Sequence, residues 1–389
     1  MMSRRYRRRR TVGRGTMAIG ATAVVLVAGG AAFALSGAVG GGESVNEAPD
    51  LGAGTGPGTG PGTAPGGTPS TTPGTTPGTT PGQQGNGEGV AAAAPFAPYI
   101  DTSLHVPYDM VGTAKKTGVK EFTLGFVSPG GGCTPEWGGR TALGGDKVAR
   151  QTKALRAEGG DIRVSFGGQS GNELALACSS VDDLAEAYGE VVDRFKLTKM
   201  DFDIEGKALK NAAANTRRAQ AIAALQKENP GLDVSFTLPV MPTGLTRDGA
   251  ELVADAEKNG VKISAVNIMA MDYGTFYDGD MGQYAIDAAT ATQKQLKRAL
   301  RLSDEAAWKA VGVTPMIGVN DVKVEIFTVE DATQLVRFAR TKGLGKLSMW
   351  SATRDKQCAG GAQKSASAIC SSVEQDALAF TKALGGYEG

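Results

Sequence analysis

The sequence predicts an α/β fold of the (β/α)8 barrel type over residues 96–389, preceded by an N-terminal export segment and an extended linker. Three observations lead to this prediction: eight short apolar runs, helix-like stretches between them, and no second low-complexity break over roughly 300 residues. A doubly wound open sheet fits less well, because Gly130-Gly131-Gly132 is followed by Cys-Thr-Pro, which cannot open a helix over a phosphate.

The apolar runs have the length and composition of β-strands, and the stretches between them are rich in Ala, Leu, Lys and Glu. Clear amphipathic helices are predicted at Val181–Phe195 and Asn215–Glu228. The predicted strands are Tyr99–Ile100, Glu121–Val127, Ile162–Phe166, Met200–Ile204, Val234–Leu238, Ala265–Met271, Val311–Ile317 and Leu347–Trp350. In a barrel of this kind, functional side chains lie where the strands end.

The first 39 residues have the features of an export segment. Residues 1–14 carry seven arginines and no acid, and the uncharged run Met17–Leu35 follows, with small residues at Ala32-Phe33-Ala34. The run is also long enough to span a bilayer, with the arginines on the cytoplasmic side. Residues 1–39 are therefore predicted to be either a cleaved signal peptide or a membrane anchor, with a possible tether through residues 17–35. In both cases the remainder is expected outside the cell, secreted or held on the outer face of the membrane.

Residues 40–95 have a different composition. They contain repeated Thr-Pro-Gly triplets, which cannot bury a core, so a disordered linker is predicted. The chain has a formal net charge of +1, and removal of the seven N-terminal arginines would leave −6. A mildly acidic domain argues against nucleic acid as a partner.

The stretch from Lys199 to Gly206 has three acids at alternate positions. On a strand, Asp201, Asp203 and Glu205 share one face, while Phe202 and Ile204 occupy the other. Carboxylates about 6–7 Å apart cannot all ionise once water is excluded, so at least one is expected to keep its proton. Glu205, nearest the carboxyl end of the strand, is the predicted proton donor. A calcium site is disfavoured, because calcium loops place turn residues between their ligands.

This stretch resembles the D-x-x-D-x-D-x-E signature of glycoside hydrolase family 18, which contains chitinases and endo-N-acetylglucosaminidases. Thr198 stands where the signature has its first acid. The resemblance covers residues 96–389. It implies that Glu205 is the general acid, that Asp203 stabilises a cationic intermediate, and that Asp201 orients Asp203, with no cofactor or metal required.

Other strand ends resemble the same family. Ser165-Phe166-Gly167-Gly168 is similar to its S-x-G-G element, and Trp350 to the tryptophan beneath the cleaved sugar. Met271 replaces the tyrosine of the family's Met-x-Tyr-Asp element, so Tyr273 is expected to supply that hydroxyl. The residues expected to contact sugar are Ser165, Gly167, Gly168, Met269, Met271, Asp272, Tyr273 and Trp350, with Trp137 and Tyr277 at outer positions.

Four cysteines fit an oxidising compartment, and three pairings are possible. We favour Cys133 with Cys178, joining the loops after strands two and three, and Cys358 with Cys370, closing a loop after strand eight. A metal site is disfavoured, because no C-x-x-C occurs and the single histidine, His105, has no ligand-like neighbour.

The resemblance implies substrate-assisted, retaining hydrolysis of β-1,4-linked N-acetylglucosamine polymers such as chitin. An endo-β-N-acetylglucosaminidase acting on glycoprotein or cell-wall glycan stays open as an alternative, as does a non-catalytic sugar-binding protein. Only one helix's worth of sequence, Val322 to Leu344, separates strands seven and eight, which leaves no room for an inserted domain. An open cleft that cleaves within a chain is therefore expected. Separately, we expect the protein to be a monomer.

Overall fold

The structure, a computed structural model, describes residues 95–104, 107–170 and 172–387. The predicted export segment, the linker up to residue 94, and His105 lie outside these ranges. Each of the eight apolar runs named above overlaps a β-strand. The strands in the described ranges are β1 Tyr99–Asp101, β2 Glu121–Gly131, β3 Thr134–Trp137, β4 Thr141–Ala142, β5 Asp161–Gly167, β6 Lys199–Asp203, β7 Asp233–Met241, β8 Gly244–Leu245, β9 Ala265–Ala270, β10 Val311–Pro315, β11 Gly318–Val319, β12 Ile326–Phe327 and β13 Lys346–Leu347.

Helices fill most of the connections between these strands. They are α1 Met110–Thr117, α2 Thr152–Ala157, α3 Leu174–Ala177, α4 Val181–Phe195, α5 Gly206–Leu209, α6 Ala212–Glu228, α7 Arg247–Lys258, α8 Met281–Ala299, α9 Asp304–Lys309, α10 Val329–Lys342 and α11 Ala379–Gly385. No helix in the described part of the chain is both long and apolar enough to cross a membrane.

The fold is a mixed α/β fold built on one parallel array of strands. The neighbours in this array are β1, β2, β5, β6, β7, β9, β10 and β13, each parallel to the next. Backbone hydrogen bonds also join the two ends of this series: Ala97 N–H donates to Leu347 O and Tyr99 N–H to Met349 O, each at 3.1 Å. The shorter strands β3, β4 and β8 pair antiparallel at the margins.

Apolar side chains on the outer face of the strands pack beneath the helices. Phe202 of β6 stacks on Phe166 of β5, with ring centroids 5.3 Å apart, and both rings meet Tyr188 of α4 edge-on. Helix α4 has the predicted bounds; it begins at Val181 because the Ser180 hydroxyl accepts a hydrogen bond from the Asp183 N–H. This packing holds β6 with its acidic face turned toward the interior of the array.

A buried ion pair anchors the loop after β5. The Glu173 carboxylate accepts hydrogen bonds from Arg218 Nη2 and the Tyr188 hydroxyl, each at 2.7 Å, and from the Ala175 N–H at 2.8 Å. Glu173 and Arg218 are each 1% exposed. Glu173, the N-cap residue of α3, is thereby joined to α4 through Tyr188 and to α6 through Arg218.

Both favoured disulfide pairings are confirmed. Cys133 is bonded to Cys178 with a Cα–Cα distance of 4.6 Å, and Cys358 to Cys370 with 5.0 Å. The first bond joins the turn after β2 to the end of α3, and the second closes a loop after β13. Both cross-links therefore lie in loops after strand ends.

Candidate active site

Asp201 is the centre of a buried hydrogen-bond network. It is fully buried, and its Oδ2 accepts hydrogen bonds from the Tyr99 hydroxyl at 2.8 Å and the Ser165 hydroxyl at 2.7 Å. Its Oδ1 accepts one from Ser235 Oγ at 2.5 Å, and Thr237 Oγ1 lies 3.0 Å from both carboxylate oxygens. With its acceptors occupied by hydroxyl donors, this carboxylate is held in one orientation below Asp203.

The network continues sideways as a polar layer across the strand array. Asn267 Nδ2 donates to Thr237 Oγ1 at 3.0 Å, and the Thr314 hydroxyl donates to Asn267 Oδ1 at 2.9 Å. We call the set Tyr99, Ser165, Asp201, Ser235, Thr237, Asn267 and Thr314 the polar floor. Its members come from β1, β5, β6, β7, β9 and β10, so it connects six of the eight parallel strands.

Asp203 and Glu205 lie above Asp201 in the order that the alternation predicts. Burial raises the pKa of Asp203 well above its usual range, and the charges of Glu205 and Asp201 raise it further. Its Oδ1 is buried and has no hydrogen-bond partner among the described residues. Burial, followed by the charge of Asp272, raises the pKa of Glu205 to about 7. As a pair, the two carboxyl groups therefore keep at least one proton near neutral pH.

The side chain of Glu205 is free to face the pocket because it makes no hydrogen bond to the helix that follows it. Glu205 occupies the N-cap position of the short helix α5, with φ of −129°, and its side chain makes no capping hydrogen bond. Asp203 and Glu205 both line a pocket of about 320 Å³.

An aromatic wall bounds the same pocket. The rings of Trp350 and Phe126 are stacked, with centroids 5.6 Å apart and planes 24° apart, and Tyr99 lies 6.0 Å from Trp350. All three rings line the pocket. Such a surface can stack on the C–H face of a sugar ring.

The small residues at the end of β5 act behind the pocket surface, which corrects their expected role as sugar contacts. Ser165 is fully buried and binds Asp201. Gly167 and Gly168 have φ values of 101° and 90°; a Cβ on Gly167 would lie 2.2 Å from Asp203 O, and one on Gly168 2.7 Å from the Phe126 ring. None of the three is among the residues that line the pocket. Their small size lets Asp203 and Phe126 approach.

The end of β9 brings some predicted residues into the pocket and takes others away. Met269, Met271 and Asp272 line it. Strand β9 stops at Ala270, and Asp272 has a left-handed φ of 52°, so the alternation does not continue to Tyr273. Tyr273 is 6% exposed and its ring packs on Tyr277, with centroids 5.6 Å apart.

The expectations for Tyr273 and Trp137 are therefore wrong, whereas the outer position expected for Tyr277, which is half-buried, stays a prediction. Tyr273 and Tyr277 lie in an aromatic cluster with Tyr284, and neither lines the pocket. Trp137 is 3% exposed; its indole N–H donates to Leu143 O at 3.1 Å and its ring packs against Phe195. The hairpin of β3 and β4 folds this tryptophan into the core instead of the cleft.

Several pocket residues have no counterpart among the sequence predictions. They are Tyr99, Phe126, Gln169, Thr237, Pro239, Val240, Met241, Thr246, Thr314, Met316 and Asp321. Most follow or end a predicted strand, so their position at a strand's carboxyl end was the available signal. Of these, Asp321 adds a further carboxylate, and its charge helps to raise the pKa of Asp272, for which burial is the larger cause.

Comparison with known proteins places this fold and site in a family. No family model matches the chain. The crystal structure of the catalytic domain of a hyperthermophilic chitinase from Pyrococcus furiosus is 37% identical; the match covers 75% of this chain and 94% of that one, with a TM-score of 0.69. Crystal structures of catalytic-site mutants of active domain 2 of chitinase from the same organism match equally well.

The chain belongs to glycoside hydrolase family 18. Two curated relatives agree with this assignment: a probable bifunctional chitinase/lysozyme of Escherichia coli K12, 38% identical over 277 residues, and endochitinase 11 of Metarhizium anisopliae, 37% identical over 275 residues. Each match covers 67% of this chain. The chain spans 31% and 52% of the lengths of these two relatives.

Proposed function

We propose that the protein hydrolyses β-1,4-linked N-acetylglucosamine polymers, with chitin as the substrate. The observation that carries the proposal is the buried row Asp201, Asp203 and Glu205, which ends in a pocket walled by Trp350. The relatives that carry the name chitinase support it.

The proposed mechanism is substrate-assisted, with retention of configuration. The acetamido carbonyl oxygen attacks the anomeric carbon while the Glu205 carboxyl group donates its proton to the leaving glycosidic oxygen. The Asp203 carboxylate accepts the acetamido N–H and offsets the positive charge of the oxazolinium ion. Glu205 then removes a proton from the water that opens this ring.

The electrostatics of the row suit the proposed acid role of Glu205. A general acid must hold its proton at the working pH, and a pKa of about 7 allows Glu205 to do so below neutrality. Four hydroxyl groups donate hydrogen bonds to Asp201 and hold its carboxyl group in place below Asp203.

The charge of the pocket favours chitin over acidic cell-wall glycan. Four acids line the pocket, Asp203, Glu205, Asp272 and Asp321, and none of its described lining residues is Lys, Arg or His. A sugar that carries a lactyl carboxylate would meet like charge without a compensating cation. A neutral N-acetylglucosamine chain meets no such repulsion.

The test is cleavage of soluble chito-oligosaccharides by the full chain, followed by mass analysis of the products. Wild type should release acetylated fragments, and Glu205→Gln should lose activity on the order of 10²–10⁴-fold while still binding substrate. Glu251→Gln, at an exposed carboxyl on α7, is the matched control and should retain the wild-type rate. A Glu205→Gln variant with a tenth of wild-type activity would contradict the assignment.

Failure of wild type to cleave would favour one of the two alternatives. Release of glycan from a glycoprotein would indicate an endo-β-N-acetylglucosaminidase. Binding of chito-oligosaccharide without any cleavage would indicate a sugar-binding protein.

We further propose that the parallel strands close into a (β/α)8 barrel. The hydrogen bonds from Ala97 and Tyr99 to Leu347 and Met349 support closure between β1 and β13. The Ala97, Tyr99 and Leu347 amides should then exchange with solvent as slowly as those of β6. Fast exchange at these amides alone would contradict closure.

An open cleft and cleavage within the polymer chain are also proposed. The connection from β10 to β13 contains the hairpin of β11 and β12 and the helix α10, with no inserted domain among these described residues. Early products from soluble chitin should then be a mixture of long oligosaccharides. Release of a single short product from the first turnover onward would indicate attack from a chain end.

The domain plan, location and assembly state are proposals that rest on the sequence. Residues 1–39 would direct export or anchor the protein, residues 40–95 would form the linker, and residues 96–389 the catalytic domain, monomeric and outside the cell. Immunoblots of membrane and medium fractions separate an anchored from a released protein, and light scattering measures its mass. Retention in the cytoplasm would contradict export.

A further inference from the structure

The methionines of the described ranges fall into two groups: one is fully buried, and the other lines the active-site pocket. Four of them, Met110, Met200, Met281 and Met349, have 0% exposure. The other four line the active-site pocket: Met241, Met269, Met271 and Met316. We call these four the pocket methionines. Met316 is 3% exposed and the other three are half-buried, so every methionine with exposed surface in this part of the chain lines the pocket.

Strand register places the pocket methionines on one wall. Met269 of β9 pairs with Pro239 of β7 on one side and with Thr314 of β10 on the other. Met241 ends β7, and Met316 follows β10 and bridges to Trp350. They therefore come from three neighbouring strands, in the same pocket as the carboxyl groups of Asp203 and Glu205.

We propose that the pocket methionines are a selective oxidation site, at which peroxide reversibly inactivates the protein. One oxygen of hydrogen peroxide is transferred to the thioether sulfur, the O–O bond breaks, and water leaves, giving the sulfoxide. Peroxide reaches these sulfurs through the same opening that admits substrate, whereas the four methionines with 0% exposure are shielded by packing.

Oxidation changes the chemistry of this wall. A thioether is apolar and polarisable, and it adapts to a ligand; a sulfoxide is polar and chiral, with a strong acceptor oxygen. Of the two register partners of Met269, Pro239 has no side-chain donor and the Thr314 hydroxyl already donates to Asn267 Oδ1. The sulfoxide adds bulk and a strongly hydrated oxygen to an apolar wall, so seating a sugar against it should lower kcat/KM by about tenfold or more. Reduction by methionine sulfoxide reductase with a dithiol restores the thioether, producing a disulfide and water.

The inference rests on the proposed function for two readouts, chain cleavage and protection by a chito-oligosaccharide, whereas the mass map is independent of it. The full chain is treated with dilute hydrogen peroxide, and peptides are mapped by mass. Oxygen should appear on the pocket methionines well before the four buried ones, and a bound chito-oligosaccharide should slow this uptake. Chain cleavage should fall in parallel and return with the reductase system, but not with thiol alone.

A variant with all four pocket methionines changed to leucine is the matched control, since leucine conserves volume without an oxidisable sulfur. After peroxide it should retain its own untreated rate, whatever that rate is. Equal oxidation of buried and pocket methionines would overturn the proposal, as would full oxidation of the pocket methionines with no loss of binding or rate. If untreated protein cleaves nothing, the mass map still decides it.

Discussion

Replacing Asp272 by asparagine isolates the electrostatic control of the proposed acid. Two causes raise the pKa of Glu205 from the usual 4.5 to about 7, burial first and the charge of Asp272 second. Because burial is the larger cause, the charge accounts for less than half of the rise. Its removal should therefore lower the pKa of Glu205 by less than about 1.2 pH units, or about 1.6 kcal/mol at 1.36 kcal/mol per unit.

The assay is kcat/KM on a soluble chito-oligosaccharide from pH 5 to 9. Activity of a general acid falls as pH rises through its pKa, so Asp272→Asn should move the alkaline limb to lower pH. Asparagine tolerates the left-handed backbone at this position, and its side-chain oxygen can still accept the hydrogen bond from the Val322 N–H. The substitution therefore changes charge with little change in structure.

Asp321→Asn is the matched control for this prediction. Its carboxylate lines the same pocket and affects the pKa of Asp272, but it is not among the causes that raise the pKa of Glu205. The alkaline limb should stay in place in this variant. An unmoved limb in Asp272→Asn, or an equal shift in both variants, would refute the reasoning.

Three further predictions concern stability, each measured by urea unfolding. The raised pKa of Glu205 favours the folded state below pH 4.5, and this contribution is lost as pH rises through about 7. The free energy of unfolding of Glu205→Gln, relative to wild type, should therefore rise by up to about 3 kcal/mol between pH 4.5 and pH 8. The same difference between variant and wild type at both pH values would contradict this prediction. Gly167→Ala should cost at least about 2 kcal/mol, because its Cβ would meet Asp203 O, whereas Gly159→Ala, with φ of 76° and open space, should cost only about 1 kcal/mol. Arg218→Met should cost about 3–5 kcal/mol by leaving the buried Glu173 carboxylate without its cation, and a loss below about 1 kcal/mol would show that water reaches this pair.

Local sequence patterns were sufficient to predict those strands and helices whose polar and apolar residues follow one clear periodicity. The alternation of acids with Phe202 and Ile204 predicted both the strand β6 and the faces of its side chains. The amphipathic pattern predicted both ends of helix α4, and in the structure the Ser180 cap starts this helix and the left-handed Lys196 ends it. These signals lie within a few residues of the element they define.

The residues whose positions were predicted wrongly lie in turns and hairpins beyond the ends of the strands, where the alternation of the strand no longer applies. Tyr273 was expected above Met271, but the left-handed turn at Asp272 redirects it. Trp137 lies on a hairpin that folds back onto Phe195. Phe126 and Asp321 were missed, because a shared pocket is made by strands and loops that are distant in sequence. No local pattern reports that convergence.

The polar floor limits how this pocket can be redesigned or diversify. Each hydroxyl group that donates to Asp201 satisfies part of its buried carboxyl group. Substitutions that enlarge the pocket downward would remove these donors and lower the free energy of unfolding by about 1–3 kcal/mol for each lost partner. The loop residues Gln169, Thr246 and Asp321 carry no such obligation to Asp201. New substrate preferences should therefore arise by exchange of rim loops above a floor that stays the same, and libraries built on this scaffold should be confined to those loops.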